Sequence, residues 1–369
     1  MKRLILCCDG TWNTPDQKRD GRPCPTNVTQ IALAVTPHGG GVAQQVFYQP
    51  GVGTAAGERL RGGALGWGLS RGVQEVYRFV VDHYEPGDEL YFFGFSRGAY
   101  MARSTVGLIR NAGILRRENV AQIKRAFALY RDRAVRPRDT ESALFRRSFS
   151  HEEPSIRFLG VWDTVGALGI PLTRNPVTAW LNRRWQFHDV ALSRSVEAAY
   201  QALAIDEMRR PYAPAVWDQN PDAEDQVLEQ VWFAGSHSDV GGGYPDTSLA
   251  DVTLGWMADR ARASGLVLDE GAFTWPGGGA QPSAGDAAFV PDPLGQLHDS
   301  FRGLTRLGGR ALRSLGARPS GRESVSSTAL VRRQQDAAYR PGNLDAFVAA
   351  SPGRVVRIGP WEPSGDTGP

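Results

Sequence analysis

Asp88-Glu-Leu-Tyr-Phe-Phe-Gly-Phe-Ser-Arg-Gly-Ala-Tyr100 decides the fold. Its first half holds an apolar run of strand length, Glu89 to Phe93. Its second half, Gly94-Phe95-Ser96-Arg97-Gly98, is G-x-S-x-G and leads into helical spacing of apolar residues from Ala99 to Arg110. A sharp strand-to-helix turn lifts the serine above the sheet edge, and glycine on either side is needed because any Cβ would collide with neighbouring backbone. The helix N-terminus behind Ser96 favours developing negative charge. So short a pattern needs its context, and the chain supplies a control in Gly68-Leu69-Ser70-Arg71-Gly72. That second match comes after four glycines in Gly62 to Gly68 and no apolar run, so Ser70 reads as a residue near the start of the helix carrying Val73, Val76 and Tyr77.

Outward from this turn, apolar runs recur at Leu4 to Cys8, Val46 to Tyr48, Ile156 to Trp162 and Val231 to Ala234. Helical spacing fills Gly72 to Tyr84, Val120 to Arg131, Ser193 to Glu207 and Leu249 to Ala263. Alternation of this kind predicts an α/β fold with a mostly parallel central sheet between helix layers. The expectation is a single domain over residues 1–369, with insertions at 116–153 and 271–322. Residues 302–322 hold six arginines and no acid before Glu323 and are expected to form a solvated surface loop.

Ligands of such sheets bind beyond the carboxyl ends of the strands. The residues there are Asp9-Gly10-Thr11, Gly94-Phe95-Ser96, Asp163-Thr164 and Gly235-Ser236-His237. A serine hydroxyl is a poor nucleophile at neutral pH and needs a base, which needs an acid to orient it. His237 is the favoured base, since it alone of the six histidines sits just past a strong apolar run, in a glycine-rich loop. His188 and His298 stand as supporting candidates. Asp163, where Phe158-Leu-Gly-Val-Trp stops at a carboxylate, is the favoured acid. Asp239 is the runner-up, placed awkwardly two residues from His237. Backbone N–H groups of Thr11 and Arg97 are the expected oxyanion donors, with Gly10 giving a small-residue turn and Asp9 holding it by accepting neighbouring N–H groups.

The chain has 369 residues, 41% hydrophobic and 22% charged, enough to bury a core without a metal or disulfide staple. Glycine and proline, 43 and 24 of the 369, make it loop-rich without reaching the roughly 25–30% of low-complexity disorder. The 42 basic residues are offset by 39 acidic ones spread along the chain, so nucleic acid is not an expected partner. No stretch nears the roughly 18 apolar residues of a membrane span, and Met1-Lys2-Arg3 opens no signal-length run. Three cysteines, two of them adjacent, fit a reduced cytoplasmic location.

Together, Cys8-Asp-Gly-Thr-Trp-Asn13, Gly94-Phe-Ser-Arg-Gly-Ala-Tyr100, Val161-Trp-Asp-Thr-Val165 and His237-Ser-Asp-Val-Gly-Gly-Gly243 resemble one family. It is an uncharacterised α/β-hydrolase domain family that includes the catalytic domains of type VI secretion phospholipase effectors. The resemblance also takes in Ala202-Leu-Ala-Ile-Asp-Glu207 and Arg210-Pro-Tyr212. It implies Ser96 as nucleophile, Asp163 as acid and His237 as base, the chain order of α/β-hydrolases. It also implies an α/β-hydrolase-like fold with helices on both faces of the sheet, an ester or lipid substrate and no cofactor. The insertions at 116–153 and 271–322 are then the places for a lid or lipid-facing surface in transient membrane contact, and delivery by a secretion machine stays open. The sequence identifies no secretion or immunity partner.

Two other chemistries have some footing in the sequence. Asp9-Gly10-Thr11 is similar to the start of haloacid-dehalogenase-type phosphatases, but the nucleophilic aspartate of that pattern is Cys7 here. A metal-dependent phosphoesterase would gather Asp9, Asp163, His237 and Asp239 around one ion. A non-catalytic or delivered toxin-type module of the same fold would be marked by loss of a triad residue, and none is lost.

Overall fold

The computed structural model describes residues 1–53, 64–151, 154–166, 192–276, 289–302, 309–318 and 320–362. Its centre is a nine-stranded sheet built from β1 (Lys2–Cys8), β4 (His38–Gly39), β5 (Val42–Gln49), β6 (Glu89–Phe95), β7 (Ile156–Trp162), β8 (Ala198–Ala204), β9 (Val227–Phe233), β10 (Glu323–Ser326) and β11 (Val355–Val356), while β2 (Lys18–Arg19) and β3 (Arg22–Pro23) form a separate ribbon. The order is β11-β10-β9-β8-β7-β6-β1-β5-β4. Every neighbouring pair is parallel except β4 with β5.

The inner strands read as continuous apolar runs because both faces are covered. In β1, Leu4, Leu6 and Cys8 join one core while Ile5 and Cys7 join the other. The first core holds helices α2 (Ala64–His83) and α3 (Arg97–Ala112) through Val73, Val76, Tyr77 and Met101. The second holds α1 (Asn27–Ala34) through Val28 and Ile31, and helix Ser248–Ala263 through Val252, Leu254 and Met257. Ser70 lies inside α2, where its hydroxyl accepts from Arg131 at 3.3 Å.

Residues 193–207 are a correction. The helical spacing read there belongs to strand β8, whose seven residues Ala-Ala-Tyr-Gln-Ala-Leu-Ala are all buried between β7 and β9. Alanine and leucine favour helix locally, but pairing on both edges overrides so weak a preference.

Of the expected insertions, 116–153 contains a 3-10 helix Arg117–Gln122, α4 (Ile123–Arg131) and α5 (Thr140–Phe149). Helix α5 docks on the end of α3 remote from Ser96, where Ser142 Oγ donates to Asn111 Oδ1 at 2.6 Å and Arg146 to the Asn111 carbonyl at 2.8 Å. At about 1.5 Å per residue those anchors stand roughly 20 Å along the helix from Ser96. No helix among the described residues is long and apolar enough to cross a membrane.

The chain passes from β1 to β5 on one side, then returns through α2 to β6 on the other. Loops leaving β1 and β6 therefore diverge, opening a crevice at their carboxyl ends. Both Asp9-Gly10-Thr11 and Ser96 lie at that point.

Candidate active site

Ser96 joins β6 to α3 with φ 56° and ψ −121°, a left-handed backbone that disfavours a side chain. The turn is possible because Gly94 and Gly98 flank it: a Cβ on Gly94 would stand 2.6 Å from Ala99 Cα, and one on Gly98 2.1 Å from the Cys8 carbonyl oxygen. Asp163 ends β7 with φ 42° and is fully buried. His237 opens the short helix His237–Gly241 after β9, where Ser236 and Asp239 form a reciprocal cap.

These three side chains meet. The Ser96 hydroxyl lies 2.7 Å from His237 Nε2, and His237 Nδ1 lies 2.5 Å from Asp163 Oδ2. The carboxylate accepts from Nδ1–H, which leaves Nε2 as the acceptor of the serine proton. Phe95 packs against the imidazole at 4.6 Å between centroids, and Tyr212 meets it edge-on at 5.0 Å. Burial lowers the His237 pKa below its ordinary value, opposed by its hydrogen bond and attraction to Asp163. For Asp163 burial acts the other way, raising the pKa, but the Arg313 guanidinium and the His237 hydrogen bond outweigh it and hold the carboxyl well below the usual range.

Arg313 corrects the expectation that 302–322 is a solvated surface. Its side chain is 3% exposed and grips both oxygens of Asp163, Nη1 to Oδ1 at 2.5 Å and Nη2 to Oδ2 at 2.9 Å. A buried carboxylate needs a compensating cation, and this one comes from the irregular stretch after residue 309. Other arginines of that stretch, such as Arg302, are exposed as expected. The sequence carries no periodicity there that would single Arg313 out.

Asp239 is not the partner of His237. Its Oδ1 accepts from His298 Nδ1 at 2.6 Å, and its Oδ2 caps the backbone of Ser236 at 2.8 Å. The His298 ring stacks on Tyr244 at 3.9 Å. His188 lies outside the described residues. Sequence reasoning misses Glu207, whose carboxylate accepts from the main-chain N–H of His237 at 3.3 Å, from Ser300 Oγ at 2.9 Å and from Arg209 at 2.8 Å.

Asp9 is fully buried beside the crevice, taking bonds from the Gly10 N–H at 2.6 Å, Thr26 Oγ1 at 2.6 Å, Tyr48 at 2.6 Å and Thr29 at 3.1 Å. Burial raises its pKa, and those four donors oppose the rise. Gly10 approaches so closely that a Cβ there would lie 3.3 Å from Ser96 Cβ. Thr11 Oγ1 is buried with no hydrogen-bond partner among the described residues. The Arg97 side chain lies over the Trp12 ring, 5.6 Å from its centroid. Asp9 and Asp239 thus turn away from Asp163 and His237 to partners of their own, and no cluster of acids, histidines and cysteines among the described residues could hold a metal ion.

Comparison with known proteins assigns the chain to a family. A family model described as the type VI secretion system phospholipase effector Tle1-like catalytic domain matches residues 2–260. An uncharacterized protein of Saccharomyces cerevisiae is 28% identical over 193 residues, covering 46% of this chain and 27% of its own length. An uncharacterized protein from Pseudomonas aeruginosa matches in structure with TM-score 0.41 and 18% identity, over 72% of this chain and 46% of its own. The Tle1 effector bound to the VgrG spike of the type 6 secretion system matches with TM-score 0.34 and 18% identity, over 66% of this chain and 51% of its own. The chain therefore spans about a quarter of the yeast relative and about half of each solved structure. Covered by the family model from β1 to the helix after His237, the chain belongs to the Tle1-like phospholipase effector catalytic domains of the type VI secretion system.

Proposed function

We propose that this chain is a serine carboxylester hydrolase of α/β-hydrolase type, acting on the acyl ester bonds of lipids as a lipase or phospholipase A. The observation that carries the reading is the unbroken run of contacts from Ser96 Oγ to His237 Nε2, 2.7 Å, and from His237 Nδ1 to Asp163 Oδ2, 2.5 Å. As Ser96 Oγ attacks the acyl carbonyl carbon, His237 takes its proton and Asp163 stabilises the imidazolium that forms. The carbonyl oxygen becomes an oxyanion, received by the backbone N–H groups of Arg97 and Thr11. Collapse of this intermediate returns the proton from His237 to the leaving alkoxide and leaves the acyl group on Ser96. Water, deprotonated by His237, then attacks the acyl-enzyme and releases the acid.

No cofactor or metal is required for these steps. Phospholipid as substrate is supported by the family to which residues 2–260 belong. Residues 1–369 are read as one unit, made in the cytoplasm with its thiols reduced and open to later delivery by a secretion machine. The three described cysteines are free and buried, in keeping with that reading.

A panel of carboxylester, phospholipid and thioester substrates, run on wild type and Ser96→Ala, tests the proposal. Wild type should release acyl chains and bind a fluorophosphonate probe covalently; folded Ser96→Ala should do neither. Labelling of both proteins, or turnover without labelling, would overturn it.

A further inference from the structure

We propose that Arg313 is a positioning residue of this site, fixing the Asp163 carboxylate in the orientation that serves His237. The inference rests on the serine hydrolase reading above.

Four hydrogen bonds define the arginine. Two go to Asp163, and two go to main-chain carbonyls, Nη1 to Ala204 at 2.8 Å and Nη2 to Tyr212 at 2.7 Å. The fork is thus held in place from outside the carboxylate it grips, which a lysine could not reproduce. Asp163 in turn takes the Ala204 N–H on Oδ1 at 3.1 Å. Its oxygens are thereby oriented by β8 and by the arginine, and only the bond from Oδ2 to His237 is left for the imidazole. Tyr212, whose carbonyl the arginine takes, meets the His237 ring edge-on at 5.0 Å. One guanidinium therefore sets both the acid behind the imidazole and a wall beside it.

The arginine is itself anchored, since Asn343 Nδ2 donates to the Arg313 carbonyl at 3.1 Å and to that of Ile205 at 3.3 Å. Two residues earlier in the chain make further contacts, His298 with Asp239 and Ser300 with Glu207. Arg313, Asn343, His298 and Ser300 all lie beyond the stretch matched to the family, residues 2–260.

The ionisable groups facing the Asp163 and His237 pair are Arg313 and, after β8, Glu207, Arg209 and Tyr212, while Asp239 on His237's own helix is taken up by His298 and Ser236. Arg313 alone among them bonds directly to the Asp163 carboxylate. Without it the buried pair gains a proton more readily, whether on the carboxylate that loses its cation or on the imidazole relieved of a nearby positive charge. The acid limb of the activity profile then moves to higher pH.

The experiment measures kcat, KM and their pH profiles on a short-chain ester for wild type, Arg313→Met, Arg313→Lys and Arg313→Ala, the last with and without guanidinium ion. Folding is monitored by circular dichroism, and the downfield His237 Nδ1 proton is followed by NMR. Expected are a kcat loss of about 100-fold in Arg313→Met with KM changed less than about threefold, an acid limb raised by about one pH unit, and partial rescue of Arg313→Ala by guanidinium. Should Arg313→Met fail to fold, Arg313→Lys carries the same comparison. Folded variants with wild-type kcat, acid limb and NMR signal would overturn the inference, as would a kcat loss with an unmoved acid limb and no rescue. Failure of the serine hydrolase reading itself shows separately, as wild type lacking turnover and fluorophosphonate labelling. In that case the titration of the Nδ1 proton still decides the role of Arg313.

Discussion

Gly98 leaves the carbonyl oxygen of Cys8 no room for a side chain on its neighbour, since a Cβ at residue 98 would stand 2.1 Å from it and 2.5 Å from the Asp9 carbonyl oxygen. Backbone cannot step aside as a flexible side chain can. Gly98→Ala should therefore lower the urea midpoint by the equivalent of about 3 kcal/mol, against less than about 1 kcal/mol for alanine at an open position such as Gly353, where a Cβ would meet no heavy atom within 4 Å beyond its chain neighbours. Equal midpoints for the two variants would mean the turn is looser than these contacts require.

The same turn holds Ser96 at φ 56°, a conformation glycine adopts without strain. Ser96→Gly and Ser96→Ala both remove the hydroxyl, and each should lower kcat by about 10⁴-fold or more. They should differ in stability, with the glycine variant higher by about 1 kcal/mol in chemical denaturation, because only it is released from the left-handed strain. An alanine variant as stable as the glycine one would remove strain as the explanation.

Asp163 and Asp239 offer a paired comparison. Asp163→Asn takes away the acceptor of His237 Nδ1–H and leaves Arg313 buried without its anion. A kcat loss of about 10⁴-fold is expected, together with a stability loss of about 3 kcal/mol or more. Asp239→Asn disturbs His298 and the helix cap while sparing the bonds of His237, so its kcat loss should stay under about 100-fold. Steady-state kinetics beside thermal melts separates the two, and a larger loss at Asp239 would reverse the roles assigned here.

The pH dependence rests on the direction of two shifts. His237 is depressed by burial below its ordinary value, about 6.5. Below that pH the unfolded chain binds the proton before the native one does, so stability is full above pH 6.5 and falls as the pH drops toward the native value. Asp163 is also depressed, from about 3.8, and its contribution is lost only as the pH falls below that. Urea midpoints should therefore decline in two stages, one starting below about pH 6.5 and the other below about pH 4. The first stage should shrink in His237→Ala to what His151, likewise depressed by burial, contributes, and a stage of unchanged size would assign it to another group.

The parts of this molecule that were legible in sequence share one property: both faces of the strand are covered. Leu4 to Cys8, Ile156 to Trp162 and Val231 to Phe233 are largely apolar, and the loop after each opens on small or polar residues that stand out against the run. That is why Asp9, Asp163, Ser96 and His237 could be picked out together. Strand β8 escaped because its alanines and Leu203 carry helix preference, and only its two neighbours make it a strand. Short edge strands such as β11, two residues long, hold too little pattern to register. Arg313 escaped for a different reason. Among 39 arginines, in a stretch with no period, its burial depends on a carboxylate 150 positions earlier in the chain.

That long-range grip separates ancestry from sufficiency. A polypeptide stopped at residue 260 would retain all three side chains proposed to react, and would pass any search for its lineage. It would also lack the one arginine bonded to the Asp163 carboxylate, leaving that anion to take up a proton or meet water. On the role proposed for Arg313, the smallest piece that can be recognised and the smallest piece that can work differ in length.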